Sequence, residues 1–83
     1  MSGPAGAETR EAERNATTTD GLLTPREREC LRWCAAGKTC WETALILGIA
    51  KRTVDFHMQS ARRKLQARNN AACVARALLL GLL

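Results

Sequence analysis

The stretch from residue 51 to residue 68 concentrates the side chains that could bind a polyanion. It holds six Lys or Arg residues and a single Asp, a net charge of +5, which equals the net charge of the whole chain. Lys51 and Arg52 begin this stretch, and the run Arg62-Arg63-Lys64 lies near its end. Cations spread along one segment suit the phosphates of a nucleic acid or an acidic membrane surface.

The pattern of apolar residues predicts that this basic segment is a helix. Four apolar residues, spaced by four, three and four positions, share one helical face between Lys51 and Leu65 or Gln66; they are Val54, Met58, Ala61 and Leu65. The basic residues then lie on the other sides, together with Asp55, Phe56 and Gln59. A second helical pattern precedes Gly48, and a basic helix that follows a tight glycine turn suits the major groove of DNA.

Two Thr-x-x-Glu sequences mark the starts of the first two helices. Thr24 is followed by Pro25 at the first helical position, and Thr39 repeats the capping box fifteen residues later. Gly37 and Gly48 are the expected left-handed stops. The third helix lacks such a cap, because Ala50 stands where Ser, Thr, Asp or Asn would bind the helix N-terminus. The inward stripe of the first helix comprises Cys30, Leu31, Cys34 and Ala35.

A fourth helix is predicted from Ala71 to Leu80, capped by Asn69 and closed by Gly81. This helix is apolar almost all round, and Arg76 is its single charged residue. A small domain cannot bury every side of its terminal helix. The excess apolar surface therefore implies a partner, most simply a second copy of the chain.

Length and composition bound the remaining possibilities. Residues 1–21 contain no Val, Leu, Ile or aromatic residue, which predicts a flexible tail, so that residues 22–83 form one domain. So small a core leaves little room for a catalytic cleft, which argues against an enzyme. The chain has neither an apolar run long enough for a membrane span nor a secretory signal. We therefore expect a soluble, cytoplasmic protein.

The four cysteines do not have metal-site spacing. No Cys-x-x-Cys pair occurs, and the single histidine, His57, lies seventeen residues beyond Cys40. We expect Cys30, Cys34 and Cys73 to pack as small apolar residues. Cys40 would lie in the first turn of a helix, where the dipole can lower a thiol pKa, so a redox role remains an alternative for it.

Other residues have structural interpretations. Trp33 and Trp41 are interpreted as packing anchors, and His57 as a residue that touches the first helix or a phosphate. The membrane alternative has little support, since Phe56 is the single apolar anchor on the basic face.

Taken together, these residues resemble the LuxR-type helix-turn-helix domain of bacterial transcription regulators. The resemblance lies in segments 23–39, 46–49, 53–65 and 77–83, and the sequences WCAAGKTCWE and DFHM resemble the quorum-sensing branch. It implies an all-α, four-helix domain with the helix-turn-helix at about residues 40–59. Quorum-sensing relatives also carry a signal-sensing domain, and response-regulator relatives carry a receiver domain. The present sequence contains neither.

The resemblance also implies roles for individual residues. The third helix would enter the major groove, with base edges contacted by Asp55, Phe56 and Gln59. Backbone phosphates would be held by Thr39, Lys51, Arg52, Arg62 and Arg63. The fourth helix would pair two subunits over an inverted repeat, with an interface at Val74, Leu78 and Leu79.

The sequence departs from many relatives at four positions. Thr43 stands where Ile is common, and Ala50 stands where Ser is common. Asp55 stands where a basic or polar residue is common, and Asn70 where Arg is common. Asp55 repels phosphate but can accept a hydrogen bond from a cytosine amino group. Thr43 in a core-facing position needs a hydrogen bond of its own.

The sequence thus predicts a sequence-specific, DNA-binding transcription regulator that is a homodimer, needs no cofactor or metal and associates with the bacterial nucleoid. RNA polymerase and a full-length relative are further partners that the resemblance implies. The alternative function is a protein-interaction module that pairs with such a relative and modulates it.

Overall fold

The computed structural model describes residues 22–83, which form four helices and no strand. The all-α prediction is therefore confirmed, while the flexible tail predicted at residues 1–21 lies outside the described residues. In chain order the helices are α1, α2, α3 and α4, and they span Pro25–Ala35, Cys40–Leu47, Lys51–Leu65 and Asn70–Leu79. The last helix begins and ends one residue earlier than its pattern predicted.

Side-chain caps fix the starts of three helices. Thr24 Oγ1 accepts from the Glu27 N–H at 3.1 Å, and the Thr24 N–H donates to Glu27 Oε1 at 2.9 Å. Thr39 and Glu42 repeat this reciprocal arrangement at 3.1 and 2.8 Å. The Asn69 side chain accepts from the first turn of α4. Both predicted capping boxes and the asparagine cap are confirmed.

The turn between α2 and α3 sets the direction of the basic helix. Gly48 has φ +69°, a left-handed conformation that costs glycine little and other residues more. The Ile49 N–H then donates to the Ala44 carbonyl at 3.1 Å, which closes α2. Ala50 occupies the N-cap of α3 in extended conformation and provides no side-chain hydrogen bond, as its sequence position predicted.

The core lies where α3 crosses the other helices, since it packs against α1, α2 and α4. The predicted stripe of α3 is confirmed, because Val54, Met58, Ala61 and Leu65 are all buried. Cys30 and Leu31 of α1 are buried as expected, and Cys34 packs partly against the core. Ala35 was wrongly assigned to this stripe: it is exposed, because it lies in the last turn of α1 beyond the reach of the neighbouring helices.

Among residues 22–83, no helix has both the length and the apolar character that crossing a membrane would require.

Candidate DNA interface

One side of α3 is open to solvent along its whole length. Phe56 is 62% exposed, and Gln59, one turn further on, is also exposed. Arg52 in the first turn and Arg63 in the last turn are exposed as well. Because Val54 and Met58 anchor the opposite side in the core, the helix cannot rotate to withdraw these groups. The structure therefore displays two predicted base-reading side chains between two exposed cations.

Asp55 and Lys51 form an ion pair on this helix. Lys51 Nζ donates to Asp55 Oδ2 at 2.9 Å, the i, i+4 spacing that brings side chains together on a helix. The hydrogen bond from Lys51 lowers the pKa of Asp55, with a smaller contribution in the same direction from the Cys40 thiol. Asp55 is thus an ionised, partly exposed acceptor, which is the form that could accept from a cytosine amino group.

Trp41 contacts the same lysine from α2. The Lys51 ammonium lies 5.7 Å from the centre of the Trp41 ring, within cation–π range. Trp41 is 67% exposed, so its interpretation as a packing anchor is wrong. Its position in the first turn of α2 turns the ring toward α3 and solvent instead of the core. Trp33, in contrast, is partly buried.

Cys40 does not have the activated thiol that its helix position suggested. Burial raises the pKa of Cys40, and the hydrogen bond to Asp55 and the charge of that carboxylate raise it further. The lowered pKa that the first helical turn made possible is therefore contradicted, because burial, with a smaller contribution from the Asp55 carboxylate, raises the pKa of Cys40 instead. Burial raises the pKa of Cys30 to about 11 and also raises the pKa of Cys34 and of Cys73.

The basic run at the end of α3 divides into three different environments. Arg62 Nη1 donates to Asn70 Oδ1, which joins α3 to the start of α4. Lys64 Nζ donates to Glu27 Oε1 at 2.9 Å, so it belongs to the fold and not to the basic surface. Arg63 is exposed. The sequence predicts phosphate binding by this run, and the structure shows that the Lys64 ammonium already has a buried carboxylate as its partner.

Thr39 lies beside this surface at the N-terminus of α2. Its hydroxyl oxygen accepts from the Glu42 N–H, and its side chain is exposed. A hydroxyl that accepts one hydrogen bond still carries a proton to donate. The residue can therefore serve as a cap and donate to a phosphate at the same time.

His57 is partly buried, and the charges that act on its ring come from α1 and from the end of α3. Its ring lies 5.7 Å from the Phe56 ring in an edge-on arrangement with an interplanar angle of 66°. Burial lowers the pKa of His57; the Glu27 carboxylate opposes this shift, and the charges of Arg26 and Lys64 reinforce it. These surroundings agree with a structural role near the first helix.

The end of α4 carries a second exposed surface, which is apolar. Leu79 is 87% exposed, and Leu78 and Leu80 are largely exposed too. Val74 differs, because it is partly buried and packs against the core of its own chain. Of the three residues predicted for a dimer interface, Leu78 and Leu79 therefore present most of their surface to solvent, and Val74 presents less.

Two partners of the basic residues were missed in the sequence. Glu27 was recognised as part of a capping box, but nothing local indicated that residue 64 would reach it. Asn70 was noted as an unusual residue, and its bond to Arg62 was not foreseen. The pairing of Lys51 with Asp55, in contrast, follows from i, i+4 spacing and could have been predicted.

Within the described part of the chain, no three His, Cys, Asp or Glu residues are grouped so that they could hold a metal ion.

Comparison with known proteins agrees with this arrangement. Residues 21–77 match the family model of bacterial regulatory proteins, luxR family. The quorum sensing-dependent transcriptional regulator RpaR of Rhodopseudomonas palustris is 59% identical over 61 residues, which cover 74% of this chain and 25% of that protein. The regulator VjbR of Brucella ovis is 49% identical over 70 residues, or 84% of this chain and 27% of VjbR.

The transcriptional activator protein LuxR of Aliivibrio fischeri is 41% identical over 63 residues, which cover 76% of this chain and 25% of that activator. The chain thus spans about a quarter of the length of these curated relatives. The relatives are transcription regulators and not enzymes. This agrees with the expectation that so small a core leaves little room for a catalytic cleft. With four helices in residues 22–83, an exposed basic α3 and a match over more than half of its length, the chain belongs to the LuxR family of bacterial regulatory proteins.

Proposed function

We propose that this chain is a sequence-specific DNA-binding transcription regulator that places α3 in the major groove. The observation that carries the proposal is the division of α3 into two sides. Val54 and Met58 are sealed in the core, while Phe56 and Gln59 project into solvent between Arg52 and Arg63. A helix held rigidly with its polar side outward has the form that the major groove accepts.

The basic residues supply affinity that does not depend on sequence. Arg52 and Arg63 are separated by eleven residues, or about 16 Å along the helix axis, so they can hold phosphates on both sides of the contacted bases. Thr39, Lys51 and Arg62 lie nearby, although Lys51 and Arg62 already bind partners within the chain. These two residues contact phosphate by sharing or exchanging those partners.

Sequence preference comes from the middle of α3. Gln59 can donate and accept hydrogen bonds at a base edge, and Asp55 can accept from the amino group of cytosine. Phe56 provides an apolar contact, for which the methyl group of thymine is a suitable partner.

Two copies of the chain bind an inverted-repeat site through pairing of their α4 helices. Leu78 and Leu79 supply most of the apolar surface, and Val74 borders it. Covering this surface removes exposed leucine from water, and a two-fold pair of recognition helices matches a two-fold site. The dimer acts in the bacterial cytoplasm, on the nucleoid, with RNA polymerase as a further partner.

A second candidate function rests on the same exposed leucines. Paired through α4 with a full-length relative instead of a second copy, the chain would modulate that relative without reading DNA alone. The electrophoretic mobility of a DNA duplex distinguishes the two functions. A regulator retards the duplex by itself, whereas a modulator changes only the retardation that its partner produces.

Selection of bound sequences from random duplex DNA tests the proposed function. The full chain is expected to enrich two half-sites in inverted orientation. Gln59→Ala should change the preferred base at one position of each half-site and leave the other positions and the half-site spacing intact. Recovery of random sequences by the unmodified chain would contradict the proposal.

A further inference from the structure

Arg62 is held at the junction of α3 and α4 through both its main chain and its side chain. Its carbonyl oxygen accepts from the Ala67 N–H at 2.9 Å, and its Nη1 donates to Asn70 Oδ1. Asn70 is the first residue of α4, and the cap beside it is fixed because Asn69 Oδ1 accepts from the Ala72 N–H at 2.8 Å. The guanidinium of Arg62 is therefore tied to a hydrogen-bonded helix start, which restricts its rotation.

The partner of Arg62 is an uncharged amide, in contrast to the carboxylate that binds Lys64. A carboxylate compensates the charge of the cation it binds, whereas an amide oxygen accepts a hydrogen bond and leaves that positive charge in place. The bond to Asn70 uses one donor of the guanidinium, whose planar fork has further N–H groups that suit the oxygens of a phosphate. Arg62 therefore remains a cation while its side chain is held.

Arg62 lies on the same side of α3 as two of the proposed base-reading residues. It follows Gln59 by three positions and Asp55 by seven, spacings that bring side chains to one side of a helix. Along the helix axis it lies about 10 Å beyond Asp55. When α3 is placed in the major groove with Asp55 and Gln59 at base edges, the guanidinium approaches a backbone phosphate at the edge of the groove.

We propose that Asn70 is a positioning residue for DNA binding: its amide oxygen holds the Arg62 guanidinium in place for a phosphate and leaves the positive charge available. This inference rests on the proposed function, because it concerns a phosphate contact of α3. It goes further by assigning part of the affinity to a residue of α4, outside the recognition helix. Since the side chain is ordered before DNA binds, less of its conformational entropy is lost on binding.

A purely structural role of this hydrogen bond would have different consequences. If the bond only joined α3 to α4, its loss would act on DNA binding through the stability of the fold or through the pairing of α4 helices. Positioning acts through the charge of Arg62 alone. It should also affect preferred and random duplexes equally, because a phosphate contact carries no sequence information.

The test is duplex binding by variants of the full chain over a range of salt concentrations. We expect Asn70→Ala to weaken binding to preferred and random duplexes about two- to tenfold, the effect of having to order one long side chain on binding. The slope of log K against log salt concentration should stay unchanged in this variant, because Arg62 keeps its charge. Arg62→Gln, in contrast, should reduce that slope by about 0.9.

Double-mutant cycles show whether Asn70 acts through Arg62. In a chain that carries Arg62→Gln, adding Asn70→Ala should have no further effect on DNA affinity. Arg63→Gln provides the matched background, because Arg63 is the adjacent cation of α3 and is exposed. There, Asn70→Ala should keep its full effect, since the Arg62 guanidinium is still present to be positioned.

Asn70→Asp is a second variant, which keeps the acceptor atom and adds a negative charge. An acidic residue suits the first turn of a helix, so this variant retains the start of α4. Its carboxylate should compensate the charge of Arg62, weaken binding more than Asn70→Ala does and reduce the salt slope by about 0.9.

Three results would overturn the inference: an unchanged affinity in Asn70→Ala, an equal loss from Asn70→Ala with and without Arg62→Gln, or an unchanged salt slope in Asn70→Asp. Failure of the unmodified chain to bind any duplex would instead overturn the proposed function. The two failures are therefore distinguishable.

Discussion

Lys64 Nζ lies 2.9 Å from Glu27 Oε1 and thereby joins the last turn of α3 to the first turn of α1. The same Glu27 oxygen accepts a hydrogen bond from the Thr24 N–H, and the Glu27 side chain is only 4% exposed. A single carboxylate therefore completes the cap of α1 and fixes the end of the proposed recognition helix. The position of α3 depends on this contact as well as on the apolar core.

Glu27→Gln should destabilise the domain by about 2 kcal/mol, because Lys64 loses its counter-charge in a partly buried site. The change is measured as the free energy of unfolding in urea. Glu29→Gln is the matched control, since Glu29 pairs with Arg26 at 3.0 Å on the exposed side of α1. Its effect should stay within about 0.5 kcal/mol. Equal effects of the two variants would show that the Glu27 contact has no special role.

The contribution of Glu27 should also depend on pH. Burial opposes its ionisation, but hydrogen bonds from Ser60, the Thr24 N–H and Lys64 outweigh burial and lower the pKa of Glu27 below its usual 4.5. A lowered pKa adds stability above pH 4.5. This stability is lost as the pH falls through the pKa that Glu27 has in the folded chain.

The stability difference between the unmodified chain and Glu27→Gln should therefore be constant above that pH and shrink below it. Urea unfolding of both chains at several pH values provides the measurement. If the difference grew in acid instead, folding would raise the pKa of Glu27 and not lower it, which would contradict the account.

Ala50→Ser should stabilise the domain by about 1 kcal/mol. Ala50 already has the extended N-cap conformation, with φ −71° and ψ 148°, and lacks a side-chain acceptor for the free N–H groups of α3. Thermal unfolding monitored by circular dichroism provides the measurement. Thr39→Ala, which removes an existing cap of α2, should lower stability by a similar amount. No gain from the serine would mean that the start of α3 is not limited by its cap.

Leu79→Lys should abolish self-association and leave the helical content unchanged, because Leu79 is 87% exposed in the single chain. Leu45→Lys is the matched control: Leu45 is 81% exposed, but it lies on α2. Sedimentation equilibrium of the three chains should show dimers for the unmodified protein and Leu45→Lys, and monomers for Leu79→Lys. A dimer that survives Leu79→Lys would contradict pairing through α4.

The fold could be predicted from the sequence wherever its determinants are local. The capping boxes at Thr24 and Thr39 depend on residues three positions apart, and the turn at Gly48 depends on one residue that adopts positive φ easily. The buried face of α3 follows from helical periodicity alone. These features need no knowledge of where other helices lie.

The candidate site was harder to predict because its contacts join distant parts of the chain. Lys64 meets Glu27 across 37 positions, and no pattern in the sequence distinguishes it from its exposed neighbour Arg63. Trp41 was expected inside because large aromatic residues usually pack, but the short α2 turns it toward Lys51 and solvent. The roles of individual residues in DNA recognition stay predictions.

The most direct test of DNA docking through α3 is the salt dependence of duplex binding by the full chain. Arg52→Gln with Arg63→Gln should weaken binding to preferred and random duplexes by about the same factor, and reduce the slope of log K against log salt concentration by about 1.8. Arg76→Gln, an exposed charge on α4, is the control and should leave slope and affinity nearly unchanged. If the double variant binds both duplexes as tightly as the unmodified chain at physiological salt, α3 is not the DNA-binding element.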